Sequence, residues 1–117
     1  MGWDAMLTDP VTGTTLELEE PHQMRGGTYC VGGTRRAKLN VTYNYGKHYA
    51  RVMRGGLDAL DGMSGAESIS ILTAAIEALG RDVDKNYWVA SEGNARLALE
   101  QLRALARLRP DGVWRLS

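Results

Sequence analysis

The chain has 117 residues, 44% hydrophobic and 24% charged, and its 14 basic and 14 acidic side chains cancel to a net charge of zero. That length supports one self-sufficient core, and the ordinary composition excludes a disordered or low-complexity chain. A single cysteine, Cys30, excludes an internal disulfide and suits a reducing compartment, while no apolar run approaches the ~18–20 residues of a membrane helix.

Charge is laid out in blocks. Residues 1–20 carry five acids and no base, and 21–57 carry seven bases and no acid. Residues 58–92 hold seven acids against Arg81 and Lys85, and 93–117 hold five arginines against Glu100 and Asp111. Such blocks either neutralise one another between neighbouring elements or gather a small anion at one place. Zero net charge and the lack of a recognised module argue against extended nucleic-acid binding. The opening MGWDAML lacks the basic and apolar regions of an export signal, so a cytoplasmic location is expected.

The first half reads as an antiparallel meander. TLELEE (15–20) alternates Leu16 and Leu18 with acids, GTYCV (27–31) is a second short strand, and RRAKLNVTYNY (35–45) a third. The third strand sets Ala37, Leu39, Val41, Tyr43 and Tyr45 on one face. Arg36, Lys38, Asn40, Thr42 and Asn44 form an open polar row on the other. A three-residue loop, Gly32 to Thr34, pairs Val31 with Arg35 and Tyr29 with Ala37, keeping Tyr29 with the apolar row and placing Cys30 beside Arg36 and Lys38.

The second half is helical. A short helix begins near Lys47 and stops at Gly55-Gly56. SGAE (64–67) is a capping box that opens a helix carrying Ile69, Leu72, Ile76 and Leu79 on one stripe, with Gly80 as its stop. The last helix spans about Glu92 to Leu108, with Ser91 as N-cap and Pro110 forbidding continuation. Asp111-Gly112 then turns the chain into a short final strand, VWRL. The predicted fold is α+β in one domain: β-rich over 1–45, two to three helices over 46–109, and a strand over 112–116.

The last helix is apolar on an unusually wide arc. Ala95, Ala98, Leu99, Leu102, Leu105 and Ala106 share one side, Leu97, Ala104 and Leu108 extend it, and Arg96, Arg103 and Arg107 line the rest. Cover by its own sheet and by a second copy of the chain is expected, making a homo-oligomer.

Motifs for chemistry are sparse. His22, His48 and Cys30 lack metal-ligand spacing, so no metal is expected. Asp58, Asp61, Asp82 and Asp84 sit in polar turns, there is no phosphate loop or nucleophile elbow, and neither a cofactor nor a catalytic residue is implied. The basic block interleaved with tyrosines instead suits a small nucleotide-like anion. In that reading Arg36, Lys38, Arg103 and Arg107 hold phosphate, and Tyr45, Tyr49 and Trp88 stack or wall the pocket. Asn44 and Asn94 bond a base or ribose. The competing reading places the tyrosines of the third strand in the core and pairs Arg96 and Arg103 with Glu100 on a solvated strip.

The blocks NVTYNYGKHY, GMSGAESI, NYWVASEGNARLALEQL and RPDGVW, in that order over about residues 39–114, resemble a group of small, largely uncharacterised proteins encoded by bacteriophages and prophages. The first 35 residues lie outside the likeness, and the group lends no binding residues. The resemblance implies a role in the infected host cell. One such role is a non-enzymatic anti-defence protein that sequesters a nucleotide-derived immune signal of the cyclic oligonucleotide or cyclic ADP-ribose type. An inhibitor that binds a host defence protein, an enzyme that degrades the signal and a virion accessory protein are the alternatives.

Overall fold

The computed structural model describes residues 2–26, 33–86 and 89–117. Its elements run β1 (Gly2–Thr8), β2 (Glu17–His22), β3 (Thr34–Arg36), β4 (Lys38–Thr42), α1 (Gly46–Val52), α2 (Gly65–Ala78), α3 (Glu92–Leu108) and β5 (Val113–Leu116). The fold is α+β, strands first and helices after, closed by the C-terminal strand. No helix among the described residues is long and apolar enough to cross a membrane.

The acidic opening segment, unassigned by its pattern, is the central strand. A three-stranded sheet has the order β4-β1-β5, both pairings antiparallel, with Trp3 opposite Val41, Asp4 opposite Asn40, and Leu7 opposite Trp114. Ala5 and Leu7 are fully buried. Their alternation with Asp4 and Met6 is the strand signal, blurred because alanine and methionine are poor strand markers.

The long strand expected over 35–45 is two strands on two sheets. At Ala37 the chain changes partner: its N–H donates to Leu16 O (2.8 Å), and its carbonyl accepts from Leu7 N–H (2.9 Å). Before that pivot β3 pairs with β2 in a two-stranded ribbon, Arg36 opposite Glu17 and Thr34 opposite His22 across a bulge. After it β4 pairs with β1. The expected strand over 27–31 and Cys30 lie outside the described residues, and of the expected loop from Gly32 to Thr34, Thr34 is instead the first residue of β3, opposite His22.

At the far end Thr42 stops the strand. Its Oγ1 accepts the Asn44 N–H (3.2 Å) and opens a 3-10 turn over Tyr43–Tyr45 that leads into α1. The change of period swings Tyr43 outward, 48% exposed and edge-on against Trp3 with centroids 4.7 Å apart, while Tyr45 turns into the core. Thr42 itself is fully buried, which removes it from the expected open row.

The helices follow their local signals. Ser64 and Glu67 form the reciprocal capping box of α2, and Ser91 caps α3 by accepting from Asn94 N–H. All six residues of the α3 apolar arc are buried, against α2 and, less extensively, α1, the 3-10 turn and β4. A second copy is thus not required to cover that arc. Arg96 and Arg103 serve the α2–α3 joint. The Arg96 guanidinium donates to Ile76 O (2.7 Å) and Leu79 O (3.2 Å) at the C-terminal end of α2, where free carbonyls and the helix dipole both favour a cation. Leu97 and Leu108, by contrast, remain outside at 37% and 57% exposure.

Beneath β5, buried Trp114 donates its indole N–H to Ser68 Oγ (2.9 Å), and Ser68 in turn donates to Gly65 O (2.7 Å). This chain of bonds locks the final strand to the first turn of α2.

Candidate functional site

The outer face of β4 carries part of the basic block beside a hollow, while Lys47, Arg51 and Arg54 are exposed in and after α1. Burial of Ala37, Leu39 and Val41 on the core side fixes Lys38 and Asn40 on the other. Across the strand pair Asn40 faces Asp4, and its amide donates to Asp4 Oδ1 at 2.9 Å. The β2–β3 ribbon rises over this face and brings His22, Met24, Thr34 and Arg36. Together these side chains and Leu39 line a hollow of about 300 Å³.

His22 ties that wall together. Its Nε2 lies 2.7 Å from Arg36 O, and the Met24 N–H reaches its Nδ1 at 3.2 Å. A carbonyl can only accept and an amide N–H can only donate, so Nε2 carries the proton and Nδ1 is bare. The ring is consumed in holding the ribbon and is not a free base. Arg36 and Lys38 differ: among the described residues neither side chain has an acidic partner within ion-pair distance, whereas Arg51, Arg96 and Arg109 pair with Glu92, Glu100 and Asp111 at 2.8, 3.2 and 2.8 Å. Two uncompensated cations and one carboxylate, Asp4, therefore share the hollow.

A second, wider hollow of about 760 Å³ lies between β2 and the C-terminal end of α3. Glu17, Glu19 and Glu20 face Arg107 and Arg109 across it. Arg109 is already held by Asp111 and by Glu17 O at 2.8 Å, and its hydrogen bonds keep the Asp111 carboxyl below the ordinary carboxylate range. Acids outnumber bases on this rim, three glutamates to two arginines, so it offers no net attraction to an anion.

The nine residues expected to share one site are dispersed. Arg36 and Lys38 line the smaller hollow, and Arg107 the larger. Arg103 turns to α2, donating to Thr73 Oγ1 at 3.2 Å. Asn44 is exposed in the 3-10 turn beyond the end of β4. Trp88 lies outside the described residues.

Three expectations need correction. Tyr45 and Tyr49 are 1% and 0% exposed, packed edge to face with centroids 6.2 Å apart, so neither ring is open to stack on a base. The Tyr49 hydroxyl donates to Ala95 O at 2.9 Å, and burial, with a smaller push from Tyr45, raises its pKa well above the ordinary tyrosine value. Asn94 is likewise enclosed, at 2% exposure. Its Oδ1 accepts from Asp84 N–H (3.0 Å) and its Nδ2 donates to Asn86 O (3.1 Å) and Val89 O (3.0 Å). These three bonds satisfy most of the amide and make Asn94 a latch for the loop between α2 and α3.

Asp4, His22, Met24 and Thr34 were missed. Asp4 was legible only through recognising β1 as a strand opposite β4. The other three reach the hollow through the ribbon's bulged pairing, which no local pattern signals. Compared with protein-family models, curated proteins and solved structures, the chain gives no match.

Proposed function

We propose that the chain binds a small phosphate-bearing, nucleotide-derived ligand in the hollow between β4 and the β2–β3 ribbon, and holds it without chemical change. The observation that carries this reading is the convergence of Arg36 and Lys38, both without an acidic partner among the described residues, on one hollow that also contains the Asn40 amide. Guanidinium and ammonium groups hold phosphate oxygens through charge-assisted hydrogen bonds. Asp4, its Oδ1 bonded to Asn40, offers its other oxygen to a donor on a base or ribose. A volume of about 300 Å³ is at the small end of ligand sites. It suits one phosphate and its adjoining sugar or base, and a cyclic oligonucleotide would insert one unit and leave the rest outside. In an infected bacterial cell, such capture would withdraw an immune signal from its receptor, which is the role the likeness to phage-encoded proteins implies.

The test is a thermal-shift and calorimetry panel of cyclic di- and trinucleotides, cyclic ADP-ribose isomers, mononucleotides and inorganic phosphate. A ligand present at 100 times its Kd adds about 2.7 kcal/mol of stability, which for a domain of this size is a rise of about 10 °C. Arg36→Ala with Lys38→Ala should abolish the rise, and the ligand should be recovered intact after heating. A panel without any shift, or a shift that survives the double substitution, rejects the reading. Recovery of an altered ligand would replace capture with catalysis.

A further inference from the structure

We propose that the outer face of α3 seats a second copy of this chain, in an antiparallel α3–α3 pair. With the apolar arc buried in the chain's own core, six residues remain on the outer side: Leu97, Glu100, Gln101, Ala104, Arg107 and Leu108. Leu97 and Leu108 are 37% and 57% exposed, Arg107 is exposed, and the other three are half-buried. At 100° per residue, Leu97, Gln101, Ala104 and Leu108 fall within about 60° of one another, a straight seam of two leucines flanking a low centre. Glu100 and Arg107 lie together on one flank, about 40–60° from Ala104.

The order of residues along this seam selects the orientation of the second helix. A two-fold axis midway between Gln101 and Ala104 sets Leu97 of one copy over Leu108 of the other, twice, and Gln101 over Ala104, twice. Alanine at the centre lets the backbones approach. In an antiparallel pair related by such an axis, like flanks meet. Glu100 of one copy then lies within about 3 Å, measured along the helix axis, of Arg107 of the other. Within one chain the same two residues are seven apart, about 10 Å along the axis, and do not serve each other. Arg107 has no ion-pair partner among the described residues, and Glu100 engages Arg96 through Oε1 at 3.2 Å, leaving Oε2 to accept from the second copy. In a parallel pair the two copies' charged flanks would lie on opposite sides of the seam and leave Glu100 and Arg107 without a partner across it, so charge complementarity favours the antiparallel one.

The surroundings leave space for this partner. The wider hollow adjoins Leu108 and carries Leu18 and Pro21 on its wall, and the second copy's Leu97 comes down at its edge. The seam is short, about 17 Å from residue 97 to residue 108, so the pair belongs with small interfaces that dissociate in the micromolar range.

Sedimentation equilibrium of the full chain, from micromolar to about 0.2 mM, is expected to show a reversible monomer–dimer equilibrium in that range. Leu108→Lys should leave a folded monomer at the same concentrations, its folding checked by circular dichroism. Glu100→Arg and Arg107→Glu should each weaken association about tenfold, since each puts like charges opposite at two symmetric places. The double exchange should restore it to within about twofold of the native value, a rescue that a merely structural role for either residue would not give. A chain monomeric throughout, a dimer indifferent to Leu108→Lys, or a double exchange as weak as the sum of its parts would overturn the proposal.

Discussion

Replacing Asn94 by alanine separates a ligand-reading role from a structural one. The side chain makes three hydrogen bonds of 3.0–3.1 Å to the backbone of residues 84, 86 and 89, from a position 2% exposed. Neutral bonds of this kind contribute about 0.5–1.5 kcal/mol each. The three backbone groups belong to exposed residues, so on losing Asn94 they recover water and no full desolvation penalty follows. Alanine also returns about 0.5 kcal/mol through its better helix propensity. The net cost is about 2 kcal/mol, which lowers Tm by about 8 °C in a domain of this length. Differential scanning calorimetry measures the loss, and hydrogen exchange at the Asp84 amide should accelerate because its acceptor is gone. An unchanged Tm accompanied by loss of ligand binding would refute the latch and return Asn94 to the site.

Other substitutions probe the joints around it. Tyr49→Phe removes the hydroxyl that donates to Ala95 O and should cost about 1 kcal/mol near neutral pH. Because burial first, and Tyr45 second, raise the folded pKa of Tyr49 above its unfolded value near 10, the neutral phenol contributes stability that is complete below pH 10 and falls away above it. Urea midpoints taken from pH 8 to about 11.5 should therefore decline less steeply in Tyr49→Phe than in the native chain, and identical slopes would contradict the assignment. Gly93→Ala should destabilise by about 2 kcal/mol or more despite alanine's helix propensity. Its Cβ would fall 2.5 Å from Asp82 C and 2.6 Å from Val83 N, both backbone atoms. A neutral or stabilising Gly93→Ala in thermal melts would mean the 81–83 segment does not pack on α3 as described.

How much was legible follows from the range of the signals. The α2 capping box, the Ser91 cap, the span of α3 and its buried arc were all readable, because caps and helical periodicity are carried by residues a few positions apart. Arg36 and Lys38 were readable as an open basic pair because period-two burial of Ala37, Leu39 and Val41 assigns the opposite face. Tyr45 was legible as a core residue from the apolar row it shares with Leu39 and Val41, whereas the outward turn of Tyr43 and the burial of Tyr49 were not, since the 3-10 turn that begins at Thr42 changes the period in mid-segment.

By itself, then, the sequence determined an α+β chain with capped helices, a C-terminal strand and a basic strand face. Only the tertiary structure decided which residues share a hollow. Asp4 meets Asn40, and His22 meets Arg36, through pairings between segments far apart in the chain. The partner change at Ala37 depends on hydrogen bonds to Leu7 and Leu16, which no local pattern encodes. Closing such long loops is rewarded only by the assembled core, so the site's membership is a property of the packed chain, while its helices are a property of neighbouring residues.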